Sequence, residues 1–185
     1  MNFNPMNIKI PNEQQCKLIL KEYGTPKHVV AHCQAVCAVS TKLALKLNEV
    51  GYNINIPLLR ASALLHDVAR VHEHHEIVGA EYLRSIGYIE VANIVALHTK
   101  YAKFNKLNEI QEIDLLCIGD RTVKEDQYVG VDERMEYIRQ KAIRLGKTQL
   151  TSGIEEGKAQ LKKYISDIEE KIGITLDNLM KGKYE

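Results

Sequence analysis

The stretch "ASALLHDVAR", residues 61–70, decides how the chain is read. It sets His66 and Asp67 side by side within a run of alanine, leucine and valine. Apolar neighbours predict burial, and burying a polar group without a partner costs roughly 2–7 kcal/mol, more for an ionised one. Both side chains therefore need compensation from elsewhere in the chain.

The segments around this stretch read as one helix after another. Pro11 opens a helix running to about Glu22, and Gly24 ends it. Thr25-Pro26 reads as an N-cap with proline at the first helical position. The second helix runs to about Glu49 and stops at Gly51, and residues 57–70 form the third. Further helices are expected from His74 to Gly87, over 89–99, and from 109 to about 124. Another opens at Val131-Asp132-Glu133, with Asp132 as its candidate cap. A charged C-terminal helix over about 148–172 closes the chain and could pack outside the core as an accessory. No segment shows the sustained alternation of a sheet, and "YNINI", residues 52–56, is too short to carry one. The predicted fold class is an all-α helical bundle forming one domain over 1–185, with its core over about 25–145.

On these helices, residues with metal-binding chemistry occupy the buried stripe at i, i+3, i+4 and i+7. His32 lies between Val29 and Val36, and His66 shares a face with Ser62, Leu65 and Ala69. His75 goes with Val78, Tyr82 and Leu83; His98 follows Val91, Ile94 and Val95; Asp120 follows Ile113, Leu116 and Cys117. A single histidine on such a stripe is more often a hydrogen-bonded core residue than a ligand. Five helices each carrying an N or O donor where a hydrophobe would pack better point to one shared cause. Imidazole nitrogen and carboxylate oxygen suit Fe, Mn, Co, Ni and Zn, and a cation neutralises Asp67 and Asp120.

Composition limits the alternatives. With 185 residues, 45% hydrophobic and 26% charged, the chain is long enough for a self-sufficient core. Lys plus Arg is 25 against Asp plus Glu 24, a formal charge of +1 that gives no reason to expect long nucleic acid or a membrane surface as partner. Cys16, Cys33, Cys37 and Cys117 lack metal-site spacing and read as reduced thiols, which with the absence of a leader-like N-terminus predicts a cytoplasmic location. No apolar run approaches membrane-spanning length.

The order His32, His66-Asp67, His75, His98, Asp120 resembles the HD superfamily of metal-dependent phosphohydrolases. The matching segments are "HCQAV", "LLHDVAR", "HEIVGAEYLRSIGY", "IVALHT" and "LLCIGDRTV" followed by "VDERM", and the likeness covers about residues 25–145. Within that superfamily the chain is similar to bacterial HD-type symmetrical diadenosine tetraphosphate hydrolases. It is also similar to the HD domains associated with molybdenum-cofactor nucleotidyltransferases. It departs from the common pattern in having Arg70 and Arg121 where lysine is frequent.

The resemblance implies that His32, His66, Asp67 and Asp120 hold one divalent transition metal. Asp67 would bridge to a second ion held also by His75 and His98. Iron or manganese is the first expectation, with Co, Ni or Zn also suited. His66 and Asp67 are then the catalytic centre, with a metal-activated hydroxide as nucleophile. The expected substrate is a small nucleotide with a phosphoester or phosphoanhydride, in first place a dinucleoside polyphosphate. Arg70, His28, Arg121 and Lys100 are the candidates for its phosphates, each weighed against an ordinary surface or ion-pairing role, as is Arg134. His72 and His74 read as a surface loop. Two alternatives stand beside the hydrolase: a mixed-valent di-iron oxygenase on the same fold, and a non-catalytic nucleotide-sensing module. Nucleic-acid binding lacks a basic stripe or an aromatic platform, and exposed helical faces permit a homodimer.

Overall fold

The computed structural model describes residues 9–182 and contains nine α-helices among them. Most of the N-terminal segment read above for a leader lies outside these residues. The helices are α1 (Glu13–Tyr23), α2 (Lys27–Glu49), α3 (Ile56–Leu65), α4 (His75–Ser85), α5 (Ile89–Val95), α6 (Glu112–Asp120), α7 (Gly130–Arg144), α8 (Thr151–Ile172) and α9 (Leu176–Lys181). The all-α class is what the structure has. A two-stranded antiparallel ribbon, β1 (Val123–Lys124) and β2 (Gln127–Tyr128), is the exception the sequence reading did not anticipate.

Helix α2 is the axis of the bundle and packs against α3, α6, α8 and α9. Its buried face carries Val29, Val36 and Leu43, as the periodicity predicts. The approach to α6 is tight. Ser40 Oγ donates to Leu115 O at 3.0 Å, and a Cβ built on Gly119 would stand 2.4 Å from Ser40 Oγ and 2.9 Å from Val36 O. Only a residue without a side chain lets α6 lie this deep, which sets Asp120 beside α2. Leu161, Ile165 and Ile168 of α8, with Leu176 and Leu179 of α9, are buried in the same hydrophobic cluster.

Local details differ from the expectations. The third helix ends at Leu65 rather than 70, because the chain then tightens into i→i−3 turns. Val68 N bonds Leu65 O at 3.1 Å, Arg70 N bonds Asp67 O at 3.0 Å, and His72 N bonds Ala69 O at 2.9 Å. Thr25 does not cap α2. Its hydroxyl donates to Val68 O at 2.8 Å and ties the α1–α2 junction to the turn that carries His66 and Asp67. Asp132 is no cap either; it lies in the first turn of α7 and binds Lys158 and Lys162, each at 2.8 Å. The four cysteines are free and buried. No helix among the described residues is long and apolar enough to cross a membrane.

Candidate metal centre

The donors converge where α2, the turn after α3, the start of α4, the turn after α5 and the end of α6 meet. His66 is fully buried, Asp67 is 7% exposed and His98 4%. Asp67 divides its carboxylate between neighbours. Oδ1 faces His75 Nε2 at 3.0 Å and His98 Nε2 at 3.5 Å, while Oδ2 faces Arg70 Nε at 3.3 Å and His66 Nε2 at 3.7 Å. On the other flank His32 Nε2 stands 3.1 Å from Asp120 Oδ1. The rings form a chain of neighbours, with centroids 5.5 Å apart for His32–His66, 5.1 Å for His66–His98 and 5.3 Å for His75–His98.

Three of the rings are oriented by backbone. His66 Nδ1 pairs with Ala63 O at 2.8 Å, His98 Nδ1 with Val95 O at 2.7 Å, and His32 Nδ1 with Glu125 O at 2.7 Å. A carbonyl only accepts, so each Nδ1 is the protonated nitrogen and each Nε2 of the neutral ring presents a lone pair. His66 Nε2 is buried without a hydrogen-bond partner. A fully buried acceptor grouped with two carboxylates and the imidazoles of His32 and His98 is what a cation would satisfy. Two groupings bring ligand atoms within 4.8 Å of one another: His32, His66 and Asp120, and His66, Asp67 and His98. The residues fit a metal.

The electrostatics fit it as well. Burial alone would raise Asp67, but the electrostatic interaction with His66 and the hydrogen bonds of His75 and His98 outweigh it and hold the carboxylate well below its usual range. Asp120 is held low against its own burial by His32, His66 and Arg134. Burial pushes His66 down. His32 and His98 would also be lowered by burial, yet the hydrogen bonds of Asp120 and Asp67 raise them. A cation held by these residues would take the place of those protons.

A cleft of about 1020 Å³ opens onto the cluster. Arg70 and His28 line it, as the sequence suggests. Arg121 does not. Its guanidinium binds Tyr101 O and lies 5.6 Å from the Phe104 ring centre, bracing the loop after His98, because it follows Asp120 by one residue and points round the helix end. Lys100 is not on the cleft wall either; it pairs with the buried Glu76 at 3.4 Å. His72 and His74 are exposed. Arg134 holds Asp120, with Nε on its backbone O at 3.1 Å and Nη2 on its Oδ1 at 3.4 Å. The sequence reading missed Tyr137, Ile138 and Lys141, which line the cleft from α7. Their i, i+3, i+4, i+7 relation to Arg134 is the signal that could have found them. It also missed the Glu125–Asp126 loop, for which a two-residue turn offered little signal.

The HD domain family model matches residues 29–145, from the start of α2 to the end of α7. The chain belongs to the HD domain family, whose members are generally hydrolases. It is 40% identical over 73 residues to an uncharacterized protein of Methanocaldococcus jannaschii, covering 38% of this chain and 43% of that one. Two proteins named tRNA (cytidine(56)-2'-O)-methyltransferase are also similar. The one from Thermoplasma volcanium is 36% identical over 93 residues, or 48% of this chain and 26% of its own. The one from Picrophilus torridus is 31% identical over 103 residues, or 54% and 29%. The matches thus span less than half of each relative. No solved structure matches significantly.

Proposed function

We propose that this HD protein is a metal-dependent phosphohydrolase acting on a phosphoester or phosphoanhydride of a small nucleotide. The observation that carries the reading is the partnerless, fully buried His66 Nε2 among Nε2 atoms and carboxylates from five separate parts of the chain. His32, His66, Asp67 and Asp120 would hold one ion, and Asp67, His75 and His98 a second. When bound, divalent ions lower the pKa of water and neutralise phosphoryl charge. The nitrogen and oxygen donor set suits iron or manganese first, and cobalt, nickel or zinc after them.

The chain's own groups supply positioning. Backbone carbonyls fix the tautomers of His32, His66 and His98. Arg134 steadies Asp120. Arg70 orients Asp67 through Nε, and its half-exposed guanidinium leaves further N–H groups facing the cleft for a phosphate oxygen. His28 stands at the same wall without a hydrogen bond among the described residues, available to a second oxygen. Methyl transfer stays with the relatives that bear that name; the donor cluster here suits ions, and the matches cover under a third of those chains.

The test is elemental analysis of anaerobically purified protein, followed by a screen of nucleotide substrates with Mn²⁺ and with chelator. Bound transition metal, with turnover that chelation abolishes, is expected. A folded protein that binds no added divalent ion and turns over no phosphoester overturns the reading.

A further inference from the structure

The α7 wall of the cleft has a character that ion binding does not explain. Arg134, Tyr137, Ile138 and Lys141 occupy i, i+3, i+4 and i+7, the stripe a helix normally buries, yet all four line open space. Tyr137 is half-buried, with the Arg134 and Lys124 cations each 5.6 Å from its ring centre. Its hydroxyl has no hydrogen bond among the described residues, and Lys141 has neither a hydrogen bond nor an ion pair among them. The stripe thus runs from a cation anchored at the donor cluster, over an aromatic and aliphatic platform, to an unpaired cation. Seven residues of helix separate the two ends, about 10 Å. Glu125 and Asp126 of the ribbon turn line the same cleft.

We infer that this face is a nucleotide subsite: Tyr137 and Ile138 stack the heterocycle of the substrate, and Lys141 takes a phosphate beyond the one being cleaved. This rests on the phosphohydrolase reading and narrows it to free nucleotides carrying at least two phosphates. Phosphomonoesters of small alcohols use neither end of the stripe. The near-neutral chain offers no extended basic track for a long strand.

The experiment measures equilibrium binding of a fluorescent ADP analogue to the metal-loaded full chain by anisotropy. In parallel it measures the ratio of kcat/KM for ADP to that for bis(p-nitrophenyl) phosphate. Tyr137→Leu is expected to weaken ADP binding and lower the ratio by about tenfold, the scale of one stacked base, while Tyr137→Phe restores both. Lys141→Ala, on an exposed helix surface, is an independent arm should the leucine variant not fold; it is expected to weaken ADP more than AMP. An unmoved ratio in Tyr137→Leu, an equal effect of Lys141→Ala on AMP and ADP, or tighter binding of a short oligoribonucleotide than of ADP overturns the inference. Wild-type hydrolysis of the generic diester separates that outcome from failure of the phosphohydrolase reading itself.

Discussion

On the α5 side of the donor cluster, His98 Nδ1 pairs with Val95 O, three residues back in its own turn; His66 does the same with Ala63 O. On the α2 side, His32 Nδ1 reaches Glu125 O, 93 residues further on. The first arrangement is local and buried. The second is long-range, half-exposed, and depends on two elements arriving at the right place: the 123–128 ribbon and α6 with Asp120. The difference teaches that one cluster can have a flank that folds with its own turn and a flank that exists only once the tertiary structure is complete. Perturbations should therefore damage the two flanks unequally.

Asp67 is the residue to which the contrast does not apply, since its oxygens face His66, His75 and His98 together. Asp67→Ala is expected to strip metal from both flanks and to lower hydrolysis by about 10³-fold, the scale of losing a group aimed at reacting charge. Retention of a full metal complement, read by elemental analysis, would show that the flanks hold their ions separately. Next in size is Gly119→Ala. The added methyl meets a backbone oxygen at 2.9 Å as well as Ser40 Oγ, and backbone yields little. The expected cost is about 3 kcal/mol, which lowers the Tm by roughly 6–12 °C for a chain of this size. Because α6 is pushed off α2, metal loss should fall on the His32–Asp120 flank. A variant that melts like the parent would mean that α6 is not seated by this contact.

What the sequence made legible follows the same division. The helical class, the buried stripe of α2 and the ligand-type residues on it are set by periodicity, which is local. The resemblance in order and spacing then named six residues whose side chains the fold brings into one cluster. Arg121 and Lys100 were misplaced because direction around a helix end, one residue past Asp120 or two past His98, depends on where the helix unwinds. The ribbon and the orienting role of Glu125 O were invisible, since a backbone carbonyl carries no residue-type signature. Gly119 lies beside the aspartate it serves, but its need for closeness becomes apparent only once Ser40 and Val36 are seen across from it.

The ribbon gives a sharper probe of the long-range flank. Glu125 is the first of two loop residues and holds φ +53°, a position where glycine is usual because L side chains are strained there. Such strain costs of order 1–3 kcal/mol and persists where the surroundings demand it. Glu125→Pro cannot reach that φ and should withdraw the carbonyl from His32 Nδ1, weakening metal affinity on that flank by about 10–100-fold. Glu125→Gly keeps the carbonyl and releases strain, so it should bind metal like the parent and melt slightly higher. Isothermal titration with Mn²⁺ and a melting curve distinguish the two; equal metal affinity in the proline variant would remove the ribbon from the orientation of His32.

The smallest effect is expected at the counterpart glycine of the local flank. Gly79 lies in α4 one turn after His75, and a Cβ there would meet Val68 Cγ1 at 3.0 Å, with Ala69 Cβ and Val95 Cγ1 at 3.6 and 3.7 Å. Every neighbour is a side chain, and Val68 Cγ1 needs to move only a few tenths of an ångström. Against that crowding, alanine is the better helix former by about 0.8–1.0 kcal/mol. The two terms nearly cancel, so Gly79→Ala should shift the Tm by no more than about 3 °C and leave the His75–His98 flank able to bind its ion. A drop as large as that of Gly119→Ala would show that the turn carrying His66 and Asp67 is as rigidly packed against α4 as α6 is against α2, and the asymmetry between the flanks would disappear.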